Sequence, residues 1–223
     1  MEGQSSTALS EAGQQQAQQL SVALSSSETL PTHLYSSPLL RATQTAAAIT
    51  HSLAQCDHAF CYQETLALQE LHAGIFQGLT WLQAEAAYPD LCQQLMATLK
   101  WQPIPEAETL LSARGRAKSW IEHVLHSRVA GDVVWMVSHE GFMQQLISVV
   151  MGCDRTWQIR IPHTAIFEFW LSHPAVNSSL SEADASFADR FNSECWIIRR
   201  FNDCKHLSSA MGADNVTTVI KQN

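Results

Sequence analysis

The spacing of apolar residues along the N-terminal part of the chain predicts a helix, a strand and a second helix. Ser10 can cap a first helix whose apolar side chains recur on one face. Residues 33–36 then form a short apolar segment, which predicts a strand. The Ser37-Pro38 pair that follows is a helix-start signal, so a helix is expected over 38–53.

The middle of the chain repeats this alternation. Residues 60–68 predict a strand that leads into a loop with two glycines. Thr80 opens a helical region, and Tyr88-Pro89 interrupts it because the residue before a proline disfavours helix. Residues 106–128 carry apolar side chains at helical spacing and predict a long amphipathic helix.

The last part of the chain contains the clearest strand. Residues 133–137 are apolar throughout, as expected of a strand covered on both faces. A helix is predicted after it, and residues 165–171 and 195–201 predict two late strands. The polar stretch 174–193 between them is expected to be an exposed loop. Strands that alternate with helices predict an α/β fold, a three-layer sandwich with a mostly parallel sheet and helices on both faces.

Length and composition fit a single domain. The chain has 223 residues, of which 46% are hydrophobic and 15% charged, so a sizeable core can form. We expect one domain over 1–208, with 209–223 as a C-terminal tail. The net charge of −8 argues against a nucleic-acid or membrane-surface partner, because such proteins present a basic face.

Cysteine usage and the N-terminus both indicate the cytoplasm. The six cysteines are scattered without CxxC spacing, which is typical of reduced thiols rather than a metal site or a disulfide framework. The first residues have no basic and apolar signal region, and no apolar run is long enough to span a membrane.

Three polar residues are candidates for chemistry at the ends of the predicted strands. Arg41 falls on the first turn of a helix, where free N–H groups and a guanidinium can bind phosphate together. His139 directly follows the buried strand and can act as a phosphate ligand or an acid–base group. Glu70 precedes the glycine-rich loop, and a carboxylate near bound phosphate would be suited to protonate a leaving oxygen. Taken alone, Arg41 and Glu70 are better explained as exposed surface residues, and His139 is equally compatible with a structural role.

Taken together, the segments around these residues resemble the histidine phosphatase superfamily, the phosphoglycerate mutase-like proteins. They occur in the family's order over nearly the whole chain. The resembling segments are LYSSPLLRATQTA at 34–46, LQELHAGIFQGL at 68–79, PEAET with a later arginine at 105–116, VSHEG at 137–141 and FNDCKHL at 201–207.

The resemblance implies a phosphoric monoester hydrolase that acts through a phosphohistidine intermediate. In this family a histidine attacks phosphorus, and water or a second acceptor then takes the phosphoryl group. Carried over by position, Arg41 binds the phosphate, His139 is the second histidine at the phosphate, and Glu70 is the proton donor. The resemblance implies no metal and no cofactor. The implied partner is a small phosphorylated metabolite or a phosphoprotein.

The family's nucleophile lies in an Arg-His-Gly motif, which this sequence does not contain. The first residues resemble the stretch that follows that motif, so we expect the first central strand and the nucleophile to be absent from this chain. One explanation is a start set at an internal methionine of a working phosphatase. We favour it because the loss of a central strand would expose two sheet edges. The other explanation is an inactive pseudophosphatase with a binding or regulatory role.

Two departures from the family pattern lie near the expected site. Glu140 replaces a small residue beside His139, and His163 stands where many members have asparagine. A phosphoglycerate mutase is a third interpretation. It is disfavoured because the chain is short between Gly78 and Pro105, where mutases carry longer insertions.

Overall fold

The computed structural model describes residues 2–97, 102–129, 131–153, 159–171 and 196–207. The predicted loop at 174–193 and the predicted tail at 209–223 lie outside these ranges, and the division into domain and tail stays a prediction. The strands and then the helices, in chain order, are β1 (His33–Ser36), β2 (Cys61–Glu64), β3 (Val134–Val137), β4 (Ile166–Leu171), β5 (Trp196–Asp203), α1 (Glu11–Ser25), α2 (Leu40–Gln55), α3 (Trp81–Ala87), α4 (Pro89–Ala97), α5 (Leu110–Ser127) and α6 (Glu140–Val150).

The strands form a parallel sheet in the order β2-β1-β3 and a separate antiparallel pair, β4-β5. In the parallel sheet, Ser36 at the end of β1 lies opposite Glu64 of β2 and Val137 of β3. The carboxyl ends of all three strands therefore meet at one edge. This arrangement confirms the predicted α/β fold with a mostly parallel sheet.

Helices cover both faces of the parallel sheet. Leu34 of β1 packs in a cluster with side chains of α1 and α2, and Trp135 of β3 lies against the same cluster. The next residue along β1, Tyr35, points to the opposite face and packs with Trp120 of α5 and Phe142 of α6. The alternation of side chains along β1 thus places one helix pair on each face of the sheet. In the described part of the chain, no helix is both long and apolar enough to cross a membrane.

Two predicted helix starts were correct, and the predicted starts of α2 and α5 were each a few residues early. Ser10 caps α1 by accepting a hydrogen bond from the Gly13 N–H at 3.2 Å, and Thr80 caps α3 in a capping box. The helix expected to begin at Pro38 begins at Leu40, with Leu39 as its cap residue. The reason lies in Ser37, whose N–H donates to the Val137 carbonyl at 2.9 Å and so continues the pairing of β1 with β3.

The long helix expected over 106–128 begins at Leu110, where the Thr109 hydroxyl accepts from the Ser112 N–H at 3.1 Å. The preceding residues pair with the glycine-rich loop instead. Ala107 forms an isolated bridge with Ala73, and the Glu108 N–H donates to the His72 carbonyl at 2.9 Å. Tertiary contact with that loop therefore sets where α5 starts.

The prediction that 133–137 is a strand covered on both faces is confirmed for β3. Val134 and Met136 pack against the cluster that contains Trp120 and Phe142, and Trp135 and Val137 pack against the cluster that contains Leu34. All four residues of β3 are only half-buried. Within the described residues, β3 pairs with β1 alone and β4 pairs with β5 alone. All three of Trp135, Val137 and Ile166 pack against the cluster formed by Leu20, Leu34, Ile49 and Leu53, so β3 and β4 contact the same part of the core.

Candidate active site

The candidate site lies where β1 and β3 end. Ser37 follows β1, and His139 is the cap residue of α6 just after β3. Arg41 lies on the first turn of α2, as predicted. The residues that follow β1 and β3 meet at one edge because the two strands are parallel and in register, with Ser36 opposite Val137. Ligands in such folds bind at this edge, beyond the carboxyl ends of the strands.

His139 is buried and electrically neutral. Its side chain is 8% exposed in total, and its Nε2 lies 2.8 Å from the Ser37 hydroxyl oxygen. Burial, assisted by the charges of Arg41 and Arg116, lowers the pKa of His139 from its ordinary value of 6.5 to about 3. Since the charged form is disfavoured by all three causes, the ring is neutral at physiological pH.

Glu70 lies in the loop after β2, and its carboxylate contacts the first N–H groups of α6. Its Oε1 accepts from the N–H groups of Leu71 at 2.7 Å and Phe142 at 3.1 Å, and its Oε2 accepts from Gly141 at 3.2 Å. Burial raises the pKa of Glu70, while these three N–H groups and the Arg41 charge oppose the rise. Because the pKa of Glu70 is raised overall, this group keeps its proton at a higher pH than an ordinary carboxyl group and is better suited to donate it.

Arg41 contacts the N-terminal segment of the chain. Its guanidinium donates to the Gly3 carbonyl at 2.7 Å and the Ser5 carbonyl at 2.9 Å, and its Nε lies 3.4 Å from a Glu2 carboxylate oxygen. Sequence reasoning did not assign residues 2–5 to the site. The only signal was the resemblance of this stretch to the one that follows the family's nucleophile motif.

The N-terminal segment also touches the loop that carries the acid. The side-chain amide of Gln4 donates to the Glu70 carbonyl at 2.9 Å, and the Gln4 N–H donates to Gln77 Oε1 at 3.2 Å. Gly3 adopts a φ of +48°, and a Cβ there would lie 2.9 Å from the Cβ of Ala73. Glycine at this position therefore lets the segment pass between Arg41 and the acid loop.

Arg116 contacts the backbone of the segment that precedes Glu70. It makes two hydrogen bonds to the Glu108 carboxylate at 2.7 and 3.0 Å and donates to the carbonyls of Ala67 and Gln69 at 3.0 and 2.8 Å. Its guanidinium also lies 3.9 Å from the centre of the Phe142 ring. These contacts fix the backbone directly ahead of Glu70, which indicates a structural role. The spacing of PEAET and this arginine in the sequence was the signal for the pair.

The two departures from the family pattern are Glu140, on the first turn of α6, and His163, on the segment before β4. The Glu140 carboxylate accepts from the Ile161 N–H at 3.0 Å, and Gln144 donates to the Ile159 carbonyl at 2.9 Å. Glu140 thus anchors the segment before β4 to the first turn of α6. His163, on that same segment, is exposed.

Comparison with known proteins gives the family. The model for the histidine phosphatase superfamily (branch 1) matches residues 1–176, so the chain belongs to that superfamily. No curated protein matches the chain.

Solved structures agree with this assignment. The mycobacterial glucosyl-3-phosphoglycerate phosphatase in complex with inorganic phosphate is 26% identical, with a TM-score of 0.57 over 68% of this chain and 72% of that one. A structure of the same enzyme with VO3 has a TM-score of 0.56 at 26% identity, over 68% and 72% of the two chains. YhfR of Bacillus stearothermophilus shares the fold, with a TM-score of 0.64 at 20% identity over 84% of this chain and 90% of its own.

Proposed function

We propose that this chain carries the phosphate-binding and proton-donating half of a phosphomonoester hydrolase that acts through a phosphohistidine. The observation that supports this most directly is the convergence of Arg41, Glu70 and neutral His139 at the edge where β1 and β3 end. An arginine and an uncharged donor suit the phosphoryl oxygens, and a carboxyl group of raised pKa suits the leaving oxygen.

In the proposed reaction, a histidine nitrogen forms a bond to phosphorus as the ester oxygen leaves. The proton held by Glu70 passes to that oxygen, so the alcohol departs neutral and Glu70 becomes a carboxylate. Water then attacks the phosphohistidine, its proton returns to Glu70, and phosphate and the free histidine are released. Arg41 and His139 stabilise the charge on the phosphoryl oxygens in both steps.

We further propose that the nucleophilic histidine is not among these 223 residues and belongs to a strand that inserts between β3 and β4. Two observations support this. The sequence contains no Arg-His-Gly. Within the described residues, β3 pairs with β1 alone although its four side chains are all apolar, and β4 pairs only with β5. An additional strand would pair with the free edge of β3 and join the parallel sheet to the antiparallel pair β4-β5.

The coding sequence tests the origin of that strand. We expect an in-frame stretch just upstream of Met1 that encodes an apolar strand ending in Arg-His-Gly. A stop codon or a frameshift there would contradict the proposal and favour the alternative, an inactive pseudophosphatase with a binding or regulatory role.

Activity measurements test the missing nucleophile. The 223-residue chain should not hydrolyse p-nitrophenyl phosphate, whereas the extended chain should. Turnover by the 223-residue chain that survives purification and depends on His139 would show that the nucleophile is misassigned. Assays of mutase against phosphatase activity on the extended chain separate the hydrolase from a phosphoglycerate mutase.

Phosphate binding tests the site in the chain as it stands. Inorganic phosphate, followed by calorimetry, should bind to the wild type and bind more weakly to Arg41→Met. The matched control is Arg199→Met on β5, since the Arg199 guanidinium lies over the Trp170 ring at 4.3 Å and not in the site. Equal affinities for the wild type and Arg41→Met would refute the role of Arg41.

For the substrate we propose a small phosphorylated metabolite, with a phosphoprotein as the alternative, because the site's donors address only the phosphoryl group. For location we propose the cytoplasm. The five cysteines within the described residues are free thiols, which is typical of a reducing compartment. A fluorescent fusion found outside the cytoplasm would contradict this.

A further inference from the structure

Ser37 is a buried residue whose backbone N–H and side-chain hydroxyl both take part in hydrogen bonds at the candidate site. It is fully buried, and its N–H donates to the Val137 carbonyl at 2.9 Å. Its hydroxyl oxygen accepts from the Leu39 N–H at 3.3 Å and lies 2.8 Å from His139 Nε2. The backbone contact fixes the side chain against His139, so the direction of this one hydrogen bond decides where the histidine proton lies.

Counting donors and acceptors gives that direction. A serine hydroxyl has one proton to donate and two lone pairs. Since one lone pair of Ser37 faces the Leu39 N–H, the hydroxyl proton needs an acceptor, and within the described residues the one at hydrogen-bond distance is His139 Nε2. The reverse arrangement, with Nε2–H donating, would leave a buried hydroxyl proton unpaired at a cost that disfavours it.

We propose that Ser37 is a positioning residue that sets the tautomer of His139 by donating its hydroxyl proton to Nε2, so that the ring proton lies on Nδ1. A neutral imidazole carries only one ring proton, and burial together with two arginines keeps this ring neutral by holding its pKa at about 3. Fixing an acceptor role for Nε2 therefore makes Nδ1–H the one donor that the ring can offer.

The Nδ1 side of the ring is the side open to a ligand. Within the described part of the chain, Nδ1 has no hydrogen-bond partner, and it is not one of the buried atoms left without a partner. The atom is thus accessible, and a proton there can reach a phosphoryl oxygen. This last step rests on the proposed function, whereas the tautomer itself does not depend on it.

Long-range proton–nitrogen correlation spectra of the 15N-labelled chain at neutral pH test the tautomer directly. The wild type should show His139 protonated on Nδ1, and Ser37→Ala should shift the population toward Nε2–H. The matched control is Ser36→Ala, because Ser36 is equally buried but its hydroxyl donates to the Ser37 carbonyl at 2.9 Å. It should leave the tautomer unchanged.

The wild-type spectrum requires no variant to fold, so it can overturn the inference by itself. A His139 protonated on Nε2 in the wild type would do so, and so would an unchanged tautomer in Ser37→Ala. Equal shifts in both serine variants would indicate general loosening of the structure and would also overturn it.

Affinity for inorganic phosphate then separates the inference from the proposed function. Ser37→Ala should weaken binding by about 3- to 10-fold, the effect of losing one hydrogen-bond donor, and Ser36→Ala should not. If the tautomer responds as expected but the wild type binds no phosphate, the role of Ser37 stands and the phosphatase proposal fails. If phosphate binds equally to the wild type and Ser37→Ala, the role of Ser37 in binding is refuted.

Discussion

Replacement of Arg116 by methionine should destabilise the protein by about 3 kcal/mol, since it keeps the apolar stem of the side chain but removes the guanidinium. The substitution removes two hydrogen bonds to the Glu108 carboxylate and two to the carbonyls of Ala67 and Gln69. The side chains of Arg116 and Glu108 are 22% and 12% exposed, so the carboxylate left behind is largely shielded from water.

The magnitude follows from these contacts. Breaking a fully buried ion pair costs about 3–5 kcal/mol. The Arg116–Glu108 pair is still partly exposed, so breaking it alone should cost less than a fully buried pair. The loss of the two hydrogen bonds to the Ala67 and Gln69 carbonyls adds to that cost and brings the total to about 3 kcal/mol. Arg116→Lys keeps the charge but cannot reproduce the planar fork, so it should cost about half as much. The double variant Glu108→Gln/Arg116→Met should lose less stability than the sum of the two single variants, because it removes both charges and leaves neither one unpaired.

Urea denaturation measures these differences, and hydrogen exchange locates them. The Leu71 N–H, which donates to Glu70 Oε1, should exchange faster in Arg116→Met because the backbone at Gln69 is released. An unfolding free energy within about 0.5 kcal/mol of the wild type would refute the structural role, since that is the range of a neutral surface substitution. A lysine variant as unstable as the methionine variant would refute the importance of the bidentate geometry.

Three further predictions concern pH, glycine positions and the N-terminal segment. The pKa of His139 lies at about 3 in the folded state, and its ordinary value is 6.5, so the unfolded state binds more protons between these values. The free energy of unfolding should therefore fall as the pH drops through this window. His139→Gln should flatten this pH profile, as measured by urea titrations. Gly141→Ala should lower the free energy of unfolding by about 1–2 kcal/mol, since its Cβ would lie 2.7 Å from Glu70 Oε1. Gly115→Ala, at a position in α5 with open space, should raise it by about 0.5–1 kcal/mol. Equal thermal shifts for the two variants would contradict this. Glu2→Gln should raise the affinity for inorganic phosphate by about 2- to 5-fold by removing a carboxylate from the phosphate-binding arginine, and calorimetry showing weaker binding would contradict it.

Periodic patterns and local capping chemistry predicted most of the elements. The helix capped by Ser10 and the break at Tyr88-Pro89 were both correct, because such signals act within a few residues. The start of α2 was not predicted, since the Ser37 N–H pairs with Val137, which lies 100 residues further along the chain. Local propensity contains no information about such a partner.

The sequence by itself indicated the class of the protein, because the segments around Arg41, Glu70 and His139 together resemble the histidine phosphatase superfamily. Their surroundings were decided only by the tertiary structure. Folding places Ser37 against His139 and Glu70 on the first N–H groups of α6, and it is this burial that shifts the two pKa values in opposite directions. Hydrogen-bond partners and desolvation arise when distant segments meet, and no pattern along the chain records them.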